Sequence, residues 1–154
     1  MSNYLVIAMV TEVLRQQMEK AAQVKGISKA SATAVCPVGE SSGALSTSLP
    51  SAGVNVFLYR VAPNVYLRNA DLPTRCLDGT VSQSPRFAYN LYYLLTFYGD
   101  EKKLEPQRIL GGVLQMLHSQ PQVTRNSINS VKKTVDYLAE SNLEREVAPI
   151  IFTI

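Results

Sequence analysis

The chain has 154 residues, of which 46% are hydrophobic and 18% are charged, so it is long enough to bury one core. We expect a single domain over residues 1–154. Its 15 basic and 12 acidic residues leave a formal charge of +3 and are mostly interleaved along the chain. The electrostatic field of so small and dispersed a charge is weak, which argues against a nucleic-acid partner.

The two cysteines, Cys36 and Cys76, lie far apart in the sequence and far from His118, the single histidine. This spacing does not match a zinc site, and we interpret both cysteines as thiols in a reducing compartment. The apolar residues 4–13 follow no basic region and are too few to span a membrane. We therefore expect cytoplasmic synthesis, no membrane partner, no metal and no cofactor.

The first half of the chain predicts a helix, a short strand and a loop. Apolar residues recur at helical spacing over residues 4–23, with Ser2 as the predicted N-cap and Gly26 as the predicted stop. Residues 30–38 are typical of a short strand that ends near a proline. Residues 39–52 are rich in Gly, Ser and Pro and predict a loop.

Two longer strands are predicted in the middle of the chain. Residues 54–61 are β-branched and aromatic at nearly every position, which is typical of a strand covered on both faces. Residues 87–98 alternate with a period of two and predict a strand of about 12 residues. A strand of that length exceeds a small core, so part of it should extend beyond the body of the domain.

The last third predicts two helices and a final strand. The first helix begins at Glu105 and Pro106 and contains the pair Gly111 and Gly112, which needs a packing reason because glycine weakens helices. A second helix is predicted over residues 124–138, and "EVAPIIFTI" ends the chain as a strand. We therefore expect an α+β fold: a mostly antiparallel sheet of about four strands, with an N-terminal helix and two later helices on one face.

The connection between the two long strands is unusually long. Most connections between strands contain about 2–5 residues, whereas about two dozen mostly polar residues lie here. Asp78 and Gly79 form a strong turn signal near the middle, so we predict a protruding hairpin or arm at about residues 62–86. Its candidate contact residues, toward another chain or toward its own domain, are Arg68, Asn69, Asp71, Arg75 and Asp78.

One motif suggests catalysis. "GESSG" matches the G-x-S-x-G nucleophile elbow with Ser41 as the nucleophile, and Asp71 or Asp100 followed by His118 has the expected chain order. However, no helical pattern follows Ser41, which the elbow requires, so we favour a Ser/Gly loop and expect no enzyme. The aromatic residues 87–98 also raise the possibility of base stacking, but their regular alternation and few basic neighbours favour packing.

Three long segments resemble a known family. They are "MSNYLVIAMVTEVLR", "GVNVFLYRVAPNVYLRNADLPTR" and "LYYLLTFYGDEKKLEPQRILGGVLQMLH". Together they closely resemble the N-terminal domain of cap proteins from contractile injection systems of the Photorhabdus virulence cassette and antifeeding prophage type. The resemblance extends in order over essentially the whole chain.

The resemblance implies a structural tail terminator: a hexameric ring that ends polymerisation of the inner tube and links it to the sheath. The implied partners are further copies of the chain, the tube protein and the sheath protein, first in the bacterial cytoplasm and then in the particle. Family members usually continue past "EVAPIIFTI" with another helix and a strand, which this sequence lacks. A monomeric adaptor without a capping role is the alternative interpretation.

Overall fold

The computed structural model describes residues 3–27, 29–37, 49–67, 78–80, 88–143 and 150–153. These residues form an α+β fold, as predicted. The elements in chain order are α1 (Val6–Ala22), β1 (Ser31–Thr33), β2 (Gly53–Pro63), β3 (Tyr89–Tyr98), α2 (Glu105–Ser119) and α3 (Arg125–Thr134). Single turns of 3₁₀ helix precede α2 at Glu101–Lys103 and follow α3 at Asp136–Leu138.

The sheet of the described residues is mixed and has three strands in the order β1-β2-β3. The prediction of about four mostly antiparallel strands was therefore wrong in number, and it missed that β1 runs parallel to β2. Ser31 lies opposite Gly53, and Thr33 lies opposite Asn55. Parallel pairing needs a crossover of about a dozen residues or more. Residues 34–52 supply that length.

The described part of the C-terminal segment does not join this sheet. Ile151 instead forms an isolated antiparallel bridge with Gln122. Val123 N donates to Ile150 O at 3.0 Å, and Phe152 N donates to Pro121 O at 2.7 Å. The strand predicted here thus appears, within residues 150–153, only as a bridge to the segment between α2 and α3.

Helix α1 begins later than its sequence pattern predicts. Its N-cap is Leu5, which makes no capping side-chain bond, so the prediction of Ser2 as N-cap was wrong. Asn3, which precedes the helix, bonds to a distant part of the chain. Its N–H donates to Asn142 Oδ1 at 2.9 Å, and its Nδ2 donates to Glu140 O at 2.8 Å.

The core forms where α1 packs against β1, α2 and α3. Helix α1 buries Met9, Val10, Val13, Leu14, Met18 and Ala22. Ile7, which the helical spacing also places in the buried stripe, is instead 41% exposed. Helix α2 contributes Ile109, Val113 and Leu117, while α3 contributes Ile128 and Val131. The helical spacing therefore identified the buried faces, and the two later helices share α1 as their common support.

Residue contacts divide the chain into two compact units. One unit is Leu58–Tyr93, and the other combines Ser2–Phe57 with Leu94–Ile154. The division falls inside both β2 and β3, so each of these strands contributes to both units. Burial along β2 changes accordingly, from four fully buried residues at Gly53 to Val56 to exposed residues from Tyr59 onwards. The predicted cover on both faces is therefore correct only for the first half of this strand.

Arg15 joins α1 to the sheet. Its Nε and Nη2 donate to the two carboxylate oxygens of Glu12 at 2.8 and 2.7 Å, and its Nη1 donates to Ala32 O at 3.0 Å. Gln16 Nε2 donates a further bond to Glu12 at 3.0 Å. The hydrogen bond from Arg15, with a smaller one from Gln16, lowers the pKa of Glu12 despite its partial burial. A bidentate, partly buried pair of this kind is stronger than an ordinary surface ion pair.

We expect Glu12 to make stability fall in acid. Because its folded-state pKa is below the ordinary value of 4.5, the unfolded chain binds the proton more readily. The resulting stabilisation is complete above that value and is lost as the pH falls through the folded-state pKa. Urea unfolding between about pH 3 and 7 should show that the free energy of unfolding depends less steeply on pH in Glu12→Gln than in the wild type. The substitution should also lower the free energy of unfolding by about 1 kcal/mol at neutral pH. An unchanged slope would contradict the assignment.

Candidate interaction surface

Strands β2 and β3 pair within the unit Leu58–Tyr93, whose described residues (58–67, 78–80 and 88–93) we call the ribbon. Asn64 fixes its geometry. The N–H of Asn64 donates to Ala88 O at 2.9 Å, and its Nδ2 donates to Asn90 Oδ1 at 2.9 Å. Its Oδ1 accepts from the N–H groups of Tyr66 and Leu67 at 3.0 and 3.1 Å. One side chain therefore holds both the strand pairing and the turn that follows β2.

The ribbon exposes much apolar surface. Among the described residues, fourteen large hydrophobic side chains are exposed, and seven of them belong to the ribbon. These are Tyr59, Val61, Val65, Tyr66, Leu67, Tyr89 and Tyr92. Tyr66 is 96% exposed, on the turn that Asn64 holds. Exposed apolar groups that are concentrated in this way mark sites of protein association more often than solvated surface.

Two tyrosines and an arginine of the ribbon form a cluster. The ring centroids of Tyr59 and Tyr92 are 6.3 Å apart at an interplanar angle of 57°, a favourable tilted arrangement. The guanidinium carbon of Arg60 lies 5.2 Å from the centroid of Tyr92. A cation at this distance is attracted to the ring, and the contact restricts the arginine before any partner binds. The edge of the guanidinium can still donate hydrogen bonds to a carboxylate.

The charged residues of this unit are also unusual. Residues 58–93 contain four of the chain's eight arginines and two aspartates, but none of its seven lysines and none of its eight glutamates. Protein interfaces are enriched in Tyr and Arg and depleted in Lys and Glu relative to the remaining surface. The composition of residues 58–93 therefore matches an interface better than a solvated face.

Asp78 is the one predicted contact residue that the structure describes. Its Oδ1 accepts from the N–H and the hydroxyl of Thr80 at 3.0 and 2.6 Å, and Gly79 has a φ of +82°. Two hydrogen bonds lower the pKa of Asp78: the larger effect comes from the Thr80 hydroxyl and the smaller from the Thr80 N–H. The predicted Asp-Gly turn is confirmed, and Asp78 stabilises it. The other four, Arg68, Asn69, Asp71 and Arg75, lie outside the described residues.

Comparison with protein families decides which family this fold represents. Residues 6–154 match the model of the Pvc16 N-terminal domain. The chain belongs to this family. Membership confirms the resemblance inferred from the sequence and links the chain to contractile injection systems of the Photorhabdus virulence cassette type. A search of curated proteins found no match.

The remaining sequence candidates do not assemble into a catalytic site among the described residues of this Pvc16-family domain. His118 is exposed in the last turn of α2. Asp100 accepts a hydrogen bond from Lys102 N at 3.0 Å and pairs with Lys103 at 3.5 Å, so it caps the turn after β3. Ser41 and Asp71 lie outside the described residues.

Among the residues that the structure describes, no group of three or more His, Cys, Asp or Glu side chains could hold a metal ion. No helix in that part of the chain combines the length and the apolar character needed to cross a membrane.

The sequence analysis missed two residues that organise this surface of the Pvc16-family domain, Arg60 and Asn64. Because β2 was predicted to be covered on both faces, Arg60 was not expected to be exposed. Asn64 was taken as the first residue of the connection between the two long strands. The absence of lysine and glutamate over residues 58–93 was the available signal, because it distinguishes interface-like surface from solvated surface.

Proposed function

We propose that this chain is a structural cap that forms a hexameric ring on the distal end of the inner tube. In this role it ends polymerisation of the tube and links the tube to the contractile sheath. Family membership supports a component of this class of particle. The observation that carries the proposal is the ribbon, whose exposed tyrosines and Arg60 are suited to association with protein.

The mechanism of capping is steric. A ring bound to the last ring of the tube covers the surface to which the next tube subunits would add, so growth stops without chemistry. A closed ring of identical subunits needs two different complementary patches on each copy.

The link to the sheath is assigned to a strand edge. Among the described residues, β1 and β3 are the two edge strands, and β3 is the longer, with 10 residues against 3. An unpaired edge of this length is a template for strand addition by another chain. From the sequence, the predicted C-terminal strand was also a candidate open edge. Residues 150–153 bridge elsewhere, which makes β3 the stronger candidate.

Electron microscopy of particles assembled with and without the chain tests the proposal. With the chain, we expect tubes of uniform length that end in a ring. Without it, we expect overgrown or variable tubes and sheaths that separate from the tube end. Tubes of normal, uniform length in its absence would contradict capping. A protein that sediments as a monomer with and without tube protein would support the adaptor instead.

A further inference from the structure

We propose that the ribbon binds the terminal ring of the tube, through carboxylates on the tube protein, and not the neighbouring copy in the cap. The proposal rests on the capping function proposed above and names the partner of one surface. Arg60 is its central residue. Among the described residues, no carboxylate lies within ion-pair distance of Arg60, whose contact is the ring of Tyr92.

The chemistry of Arg60 indicates what it binds. A guanidinium presents a planar set of donors that matches a carboxylate in a bidentate arrangement, and stacking on an aromatic ring leaves that edge available. Tyr59 and Tyr92 provide a rigid apolar surface beside it. Arginine and tyrosine at the centre of an interface commonly carry most of the binding energy. The expected partner surface is therefore apolar, with carboxylates placed to meet Arg60.

The charge of the chain argues against a second copy as that partner. Residues 58–93 hold four arginines and two aspartates, a formal charge of +2, so the remainder of the chain accounts for +1 of the total of +3. The remainder is thus not an acidic complement. In the unit that combines Ser2–Phe57 with Leu94–Ile154, the carboxylate of Asp100 pairs with Lys103 at 3.5 Å. By net charge, a different and more acidic protein therefore complements residues 58–93 better than a second copy does.

The turn after β2 presents a second candidate contact. Asn64 accepts from the N–H groups of both Tyr66 and Leu67, so the turn is shaped by the ribbon's own hydrogen bonds. Tyr66 nevertheless remains 96% exposed. Holding an apolar side chain in solvent on an ordered turn reduces the entropy lost when a partner binds. Tyr66 is therefore expected to pack on the tube protein as well.

Arg60→Glu tests the proposal, with Lys133→Glu on α3 as the control that changes net charge equally. Purified cap protein is mixed with tubes polymerised from the cognate tube protein, and capped ends are counted by electron microscopy. Arg60→Glu should still form rings but bind tube ends at least about tenfold more weakly, whereas Lys133→Glu should bind as the wild type does. Tyr66→Ser should also weaken tube binding. Binding by the wild type should weaken between about 50 and 300 mM NaCl.

Each other outcome overturns the proposal in a distinguishable way. If Arg60→Glu keeps its thermal midpoint but no longer forms rings, the ribbon contacts the neighbouring copy. If it forms rings and caps tubes as well as the wild type does, the ribbon is not the tube contact, while the capping function stands. If the wild type itself forms no ring and binds no tube end, the capping function fails and this assignment fails with it.

Discussion

Asn55→Ala is expected to lower the free energy of unfolding by about 3 kcal/mol. Asn55 is fully buried on β2, opposite Thr33 on β1. Its Oδ1 accepts from the Thr33 hydroxyl at 2.9 Å and from Val35 N at 3.0 Å, and its Nδ2 donates to Val35 O at 2.9 Å. The Asn55 side chain thus bonds to the N–H and the carbonyl of Val35, which lies just after the end of β1. Alanine at position 55 leaves both backbone groups of Val35 without this partner.

Urea denaturation of Asn55→Ala and of Thr33→Val measures this effect. Thr33→Val removes one of the three hydrogen bonds and retains a β-branched residue, so it should cost about 1 kcal/mol. Asn90→Ala is a second comparison: it also replaces a strand asparagine, but one whose side chain accepts a single partly buried hydrogen bond, from Asn64. A loss below about 1 kcal/mol for Asn55→Ala would show that water or movement of the backbone satisfies Val35 instead.

Gly112→Ala is expected to destabilise the protein by about 2 kcal/mol, whereas Gly111→Ala should stabilise it by about 0.5–1 kcal/mol. A Cβ on Gly112 would lie 2.7 Å from Ala21 O and 3.2 Å from Val24 Cγ2, where α1 ends against α2. The first contact is with backbone, which moves only if the two helices separate. A Cβ on Gly111 meets no atom within 4 Å.

The two glycines form a matched pair, because both lie inside α2 and both gain the same helix propensity from alanine. The difference between their unfolding free energies, measured with urea under one set of conditions, therefore isolates the close approach of α1 and α2. We expect it to be about 3 kcal/mol. Shifts of equal sign and size at the two positions would contradict the packing of α2 on α1.

The glycine pair of α2 and Asn55 were predictable from the sequence only in part. It indicated that Gly111 and Gly112 together required a packing reason, yet both residues have the same local pattern. Only the position of Ala21 across the helix contact assigns that reason to Gly112. Similarly, Asn55 interrupts a run of strand-forming residues without any local sign that its side chain would satisfy Val35, 20 residues away.

The candidate surface was predicted in part. The excess length between the long strands and the Asp-Gly pair indicated an arm with a central turn, and the structure confirms that turn at Asp78. The strand pattern of residues 54–61 did not predict the exposure of Tyr59 and Arg60, because apolar and aromatic residues form strands both in cores and at interfaces. Burial changes along β2 at the point where its contacts pass from one unit to the other.

By itself the sequence determined the kind of protein: the helices with their buried faces, the two long strands, the α+β class and the family. These follow from periodicity, turn residues and extended similarity, which are local or cumulative along the chain. The tertiary structure alone decided that β1 runs parallel to β2, that the described C-terminal residues bridge to the segment after α2, and that α1 begins after Asn3 has bonded elsewhere. Each of these depends on partners distant in sequence, and no local pattern encodes which partner will be available.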